Sequence, residues 1–99
     1  MADCAGDCEV RTKHAKSITG REHEHLGRVK ELPCSVCDAP PPSDAHHIVQ
    51  GLHFVAVALC KDCHQGSVNG WHGQKRMWTL TKLDEVKALN ITLKRLSDA

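Results

Sequence analysis

Aromatic side chains are nearly missing from this chain, which has no tyrosine, one phenylalanine and two tryptophans in 99 residues. Large rings therefore cannot supply the burial a domain this short needs, and such a core is marginal without a staple. Long apolar runs are missing too, so no membrane-spanning helix is expected. The first residues are too polar for a secretory signal peptide, so a cytoplasmic setting is expected, and no membrane partner. Charge of one sign is not in excess either. Thirteen Lys and Arg against twelve Asp and Glu leave a formal net charge of +1. That excludes a strongly basic protein that coats DNA but permits local basic patches. No repeat or linker divides residues 1–99, so one domain is expected.

Cysteine and histidine are plentiful, at six and eight residues. Cys34-Ser-Val-Cys37 and Cys60-Lys-Asp-Cys63 are two C-x-x-C pairs, the usual ligand set of a tetrahedral structural zinc site. Each pair offers two thiolates from one tight turn, and an ion clamps the two turns together. Binding free energy then becomes folding free energy, which suits a chain with a thin core. Disulfides in a secreted protein are the alternative. Without an export signal, thiolate–metal use in a reducing cytosol is the better reading.

Residues 1–16 carry Cys4, Cys8 and His14 but no sustained period, and read as a flexible arm. Over 17–33 a helix is expected. Thr19 and Glu22 form a capping box, Leu26, Val29 and Leu32 share a face, and Pro33 stops it. His23 and His25 read as solvated helix surface. Three prolines, Pro40 to Pro42, stiffen the connector into a strand over 44–49. Residues 50–52 read as a turn and 53–59 as a second strand. A helix is expected from the second C-x-x-C, carrying His64, with Gly66, Gly70 and Gly73 interrupting it. A final packing helix over 81–97 is expected to be capped by Thr81, with Leu83, Val86, Leu89, Leu93 and Leu96 on one apolar face.

His46, His47 and His64 therefore sit at element ends around one hairpin pinned by cysteines. Neutral imidazoles bind divalent metals, and a free imidazole is a suitable base near neutral pH. Phosphodiester hydrolysis needs both, because a metal stabilises charge on phosphate while a base deprotonates water.

The order C-x-x-C, then Asp44-Ala45-His46-His47-Ile48-Val49, then Leu59-Cys60-Lys61-Asp62-Cys63-His64 resembles the HNH, or ββα-metal, endonucleases. The likeness spans residues 19–73. More narrowly, the chain is similar to the phage and prophage recombination-enhancement nucleases, the Ref-like, RecA-dependent group. The helix running into Pro33-Cys34, the Ala-His opening and the His64-x7-His72 spacing carry that narrower likeness. The resemblance implies an α+β, zinc-stapled ββα-metal core over 34–73, with a preceding helix and a C-terminal packing helix. It implies that Cys34, Cys37, Cys60 and Cys63 hold structural zinc. It implies that His47 is the general base, and that His46, His64 and His72 hold a catalytic Mg2+, Mn2+ or Zn2+. The doubled histidine permits His46 and His47 to exchange roles. DNA is the implied substrate, and a RecA-type recombinase filament in a bacterial host cytosol the implied partner.

One position departs from the pattern. The family's middle Asn, which orients the base, falls at about Val55, leaving Asp44, His53 and Asn69 as stand-ins. Lys61, Lys75 and Arg76 are candidate phosphate contacts. Trp71 and Trp78 read as core before base-stacking platforms, because the chain has few rings to bury. A metal-dependent DNA endonuclease is the leading expectation. A non-catalytic zinc-stabilised DNA- or protein-binding module is the alternative, which the loss of the Asn favours.

Overall fold

Local capping and turn chemistry decide where each element starts and stops. The structure, a computed structural model, describes residues 18–98, so the arm with Cys4, Cys8 and His14 lies outside the described residues. The order is α1 (Gly20–Lys30), β1 (Asp44–His47), β2 (Ala56–Leu59), α2 (Lys61–Gln65), α3 (Arg76–Thr81) and α4 (Glu85–Asp98). Among the described residues this is a small α+β unit with four helices and one two-stranded sheet.

The capping box at α1 forms as its sequence predicts. The Glu22 N–H donates to the Thr19 hydroxyl at 3.2 Å, and the Thr19 N–H donates to the Glu22 carboxylate at 2.9 Å. Val29 on this helix is fully buried. His25 is not solvated surface as expected. Its ring packs on Phe54 with centroids 5.0 Å apart, tying α1 to the hairpin turn.

Both strands are shorter than the sequence pattern suggests, and the turn between them is longer. Ile48 still donates to the Val55 carbonyl at 3.1 Å, but the chain then folds back through two turns. Leu52 donates to Val49 and Val55 donates to Leu52, with Gly51 at a φ of 89°. Those bonds use the amides that a longer ladder would pair, and the positive φ favours glycine.

The antiparallel register sets Asp44 opposite Leu59, His46 opposite Val57 and His47 opposite Ala56. Side chains alternate along a strand, so the hairpin has two distinct faces. Asp44, His46, Val57 and Leu59 share one, and Ala45, His47, Ala56 and Ala58 share the other. The first packs on Cys34, Val36, Cys63, Trp78 and Ala88, and the second on Val29 and Leu96. One short hairpin thus separates two small cores.

The C-terminal region differs from the single helix expected from Thr81. Thr81 instead donates back to the Met77 carbonyl at 2.9 Å within α3, and Lys82 ends that helix at a φ of 59°. Asp84 caps α4, its carboxylate accepting from the Lys87 N–H at 2.8 Å. The expected leucine face is turned only in part, since Leu83 and Leu89 still pack on the first core. Val86 and Leu93 are 70% and 43% exposed, while Ala88, Thr92 and Leu96 are buried.

Hydrogen bonding to the outer edge of β2 explains that rotation. The Ala58 N–H donates to the Thr92 hydroxyl at 3.2 Å, and Thr92 donates to the Ala88 carbonyl at 3.0 Å. A hydroxyl has one proton, so Ser35 must be the donor in its 2.7 Å bond to Thr92. The Ser35 N–H completes the edge by donating to the Ala58 carbonyl at 2.8 Å. Thr92→Val would leave a buried amide and a buried hydroxyl without acceptors. The expected loss is about 1–3 kcal/mol, read from the urea midpoint of metal-loaded protein, with Thr92→Ser retaining most of it.

Candidate metal centre and active site

Cys34 and Cys37 flank a tight turn, and Cys60 and Cys63 open α2. The Val36 N–H points at the Cys34 sulfur and the Cys63 N–H at the Cys60 sulfur, each at 3.4 Å. Backbone amides aimed at sulfur favour the thiolate form, which is the metal-binding form. The four cysteines are free, their Sγ atoms all lie within 4.8 Å of one another, and the group could hold a metal ion.

Burial raises the Cys34 thiol, but the amides around it outweigh that and leave its pKa below the ordinary value. Burial and the neighbouring sulfurs push Cys37 up to about 11 and Cys63 further still. Four sulfurs this close do not all ionise beside one another unaided, so the donor set fits a dication. The Trp78 indole donates to the Cys63 carbonyl at 2.9 Å, fixing the second turn against the core. Trp78 is thereby buried and unavailable for stacking on a base.

His46, His64 and His72 form a second convergence. Each offers a ring nitrogen, and these three atoms lie within 4.8 Å of one another. Strand alternation sends His46 toward α2, which carries His64. His72 arrives on the loop after α2, which doubles back so that Trp71 donates to the Cys63 carbonyl and His72 to the His64 carbonyl. That return needs small residues. A Cβ on Gly70 would meet the Gly66 backbone at 2.5 Å, and one on Gly73 would collide with Gly66 and Ser67. The glycines that shorten the helix are therefore what deliver His72.

Carboxylates contact two of the three rings. Asp44 lies 3.1 Å from His64 Nδ1, and Glu85 lies 2.7 Å from His46 Nε2. Metal-binding histidines almost always have such an outer partner, which fixes the ring and its tautomer. Burial lowers the His46 pKa, against the opposing pull of the Glu85 hydrogen bond, and the nearby His64 and His72 rings add to the lowering. His46 is thus held neutral, the form that donates a lone pair to a metal. The hydrogen bond from His64, ahead of the effect of Lys61, keeps Asp44 below the ordinary carboxylate range.

His47 stands on the opposite strand face and does not join the trio. Its Nε2 is 3.0 Å from His53 Nδ1, leaving its own Nδ1 without a partner among the described residues. Burial first, and then the nearby His53 and His46 rings, lower its pKa, which favours the neutral form with a free lone pair. Of the stand-ins for the Asn, His53 is the one that reaches His47. Asp44 serves His64, and Asn69 donates to Asp62 at 2.8 Å. Val55 contributes backbone bonds to the turn instead.

No family model, curated protein or solved structure matches this chain.

The three candidate phosphate contacts stand differently. Lys61 is 86% exposed and 3.3 Å from Asp44, beside the histidine trio. Lys75 lies over the half-buried Trp71 ring, 4.0 Å from its centroid, so part of its role is local. Arg76 opens α3 and is exposed. Glu85 carried no signal in the sequence beyond being an acid in the first turn of a helix. Only the packing of α4 brings it to His46.

Proposed function

We propose that this protein is a metal-dependent endonuclease that hydrolyses phosphodiester bonds in DNA, with zinc in the cysteine quartet. The observation that carries this reading is the pairing of a three-histidine convergence with a neutral His47 on the adjoining strand residue. A structural zinc site needs neither.

A divalent ion held by His46, His64 and His72 would supply Lewis acidity toward the phosphate and the leaving oxygen. The rest belongs to the protein. In this reading His47, which ends β1 on the strand face opposite the trio, approaches the same phosphate from the other side. Its Nδ1 accepts a proton from water as the water oxygen bonds to phosphorus and the P–O bond to the leaving group breaks. The leaving oxygen takes its proton from solvent. On the same reading His47 Nε2–H donates to His53 Nδ1 across their 3.0 Å contact, which leaves the His47 Nδ1 lone pair free. Lys61, 3.3 Å from Asp44, and Arg76, exposed at the start of α3, contact phosphate oxygens in this reading. The motif spanning Asp44 to Val49 and Leu59 to His64 supports DNA as substrate, and its Ref-like features support a phage or prophage setting. A RecA-type filament on single-stranded DNA is then the partner to test.

Supercoiled plasmid incubated with metal-loaded protein and Mg2+, Mn2+ or Zn2+ tests the reading. Nicking or linearisation is expected, and His64→Ala is expected to cut at least about 100-fold more slowly with unchanged cysteine-bound metal. The competing reading is a zinc-stabilised binding module without catalysis, favoured by Val55 standing where the resemblance calls for Asn. Absence of cleavage by wild type with zinc bound and the fold intact, also with the recombinase filament present, would overturn the nuclease reading in favour of that module.

A further inference from the structure

The carboxylate behind His46 comes from outside the hairpin–helix unit that carries the histidines. Glu85 is the first residue of α4, just after the Asp84 cap, and its Oε2 lies 2.7 Å from His46 Nε2. The His46 side chain is 5% exposed and that of Glu85 23%, so the bond is largely shielded from water. Glu85 is not among the three residues whose ligand atoms converge. A carboxylate oxygen is best matched by an N–H, and in the neutral ring a proton on His46 Nε2 leaves the lone pair on Nδ1.

From this geometry we propose that Glu85 is a positioning residue for the histidine site: it fixes His46 in the Nε2–H tautomer with Nδ1 available to a divalent ion. This rests on the reading of His46, His64 and His72 as a metal site. The α4 helix thereby acts as part of that site as well as a packing element. Its N-terminal turn sets the ring angle, while Ala88, Thr92 and Leu96 anchor the helix under β2. Asp44 does the same for His64 from within β1, so two of three rings are oriented by carboxylates from different elements.

An acid in the first turn of a helix also favours the helix dipole, and a purely structural Glu85 would do only that. Ring tautomer separates the two roles. Protein holding one equivalent of zinc, labelled with 15N at histidine, is compared as wild type, Glu85→Gln and Glu85→Ala. Long-range 15N–1H spectra report the His46 tautomer, and calorimetric titration with further Zn2+ reports affinity at the histidine site. Wild type is expected to show the Nε2–H tautomer and to bind a second equivalent. Glu85→Ala is expected to lose the tautomer preference and bind that equivalent about 10–100-fold more weakly, with cysteine-bound zinc unchanged. Glu85→Gln keeps an acceptor oxygen, so it is expected to restore the tautomer and part of the affinity. If Glu85→Ala retains wild-type tautomer and affinity, the positioning role is overturned while the metal site stands. If wild type itself takes up no second equivalent, the histidine metal site fails and the positioning role fails with it.

Discussion

Stripping the metal from the cysteine quartet is expected to abolish the folded state. Structural zinc contributes about 10–16 kcal/mol of apparent binding free energy at neutral pH. A domain of this size has about 5–15 kcal/mol of net stability in total. The chain has little else to fall back on, since its two cores are built around a two-stranded sheet with one fully buried large ring, Trp78. Cys34 and Cys63 themselves are members of the first core, so losing the ion also opens the packing of Val57 and Leu59. Addition of a strong chelator is expected to red-shift tryptophan emission, remove the cooperative urea transition and expose the quartet's thiols to titration. Cys34→Ser and Cys63→Ser are expected to do the same without chelator. A chelated protein that still unfolds cooperatively would sink the assignment of the quartet as the staple.

The second large effect is expected at His47. Replacing a positioned general base costs about 100- to 10,000-fold in rate. His47→Ala should therefore reduce plasmid cleavage by that factor while leaving far-ultraviolet dichroism and metal content unchanged. The structural reason for unchanged folding is local. His47 is only half-buried, its hydrogen bond is to His53, and it belongs to neither metal group. His53→Ala should give a smaller loss, because the base survives but its ring is no longer held. Equal cleavage by wild type and His47→Ala would remove His47 from the mechanism. A larger defect for His46→Ala together with full activity of His47→Ala would mean that the two histidines have exchanged roles.

The structure also revises what individual side chains were read to do. Leu93 and Val86 look like core in a helical wheel, yet both are exposed because Thr92 and Ala88 take the buried side. A threonine hydroxyl that satisfies an edge amide outweighs a leucine's apolar surface at that position, since an unpaired buried amide is costly. Trp78 is held by both packing and its bond to Cys63, which agrees with the expectation that scarce rings are buried. His25, read as surface, is a contact between α1 and the turn.

Several features were legible because their physics is local in sequence. A capping box is three residues long, a C-x-x-C turn is four, and a strand alternates every second residue. Thr19 with Glu22, the two cysteine turns and the separation of His46 from His47 across the hairpin all follow from such short-range rules. Short length and the poverty of rings likewise pointed to a staple before any contact was known. What depended on tertiary structure was which distant groups meet. The return of the glycine loop brings His72 to His64, the long turn brings His53 to His47, and the packing of α4 brings Glu85 to His46. Those meetings depend on bends at Gly51 and Lys82 and on a helix rotation set by one hydroxyl, and no periodicity in the chain encodes them. The sequence by itself determined which ligand types exist and on which elements they ride. Packing decided which of them share a site, because a hydrogen bond of about 3 Å is won or lost by a small shift of a whole element.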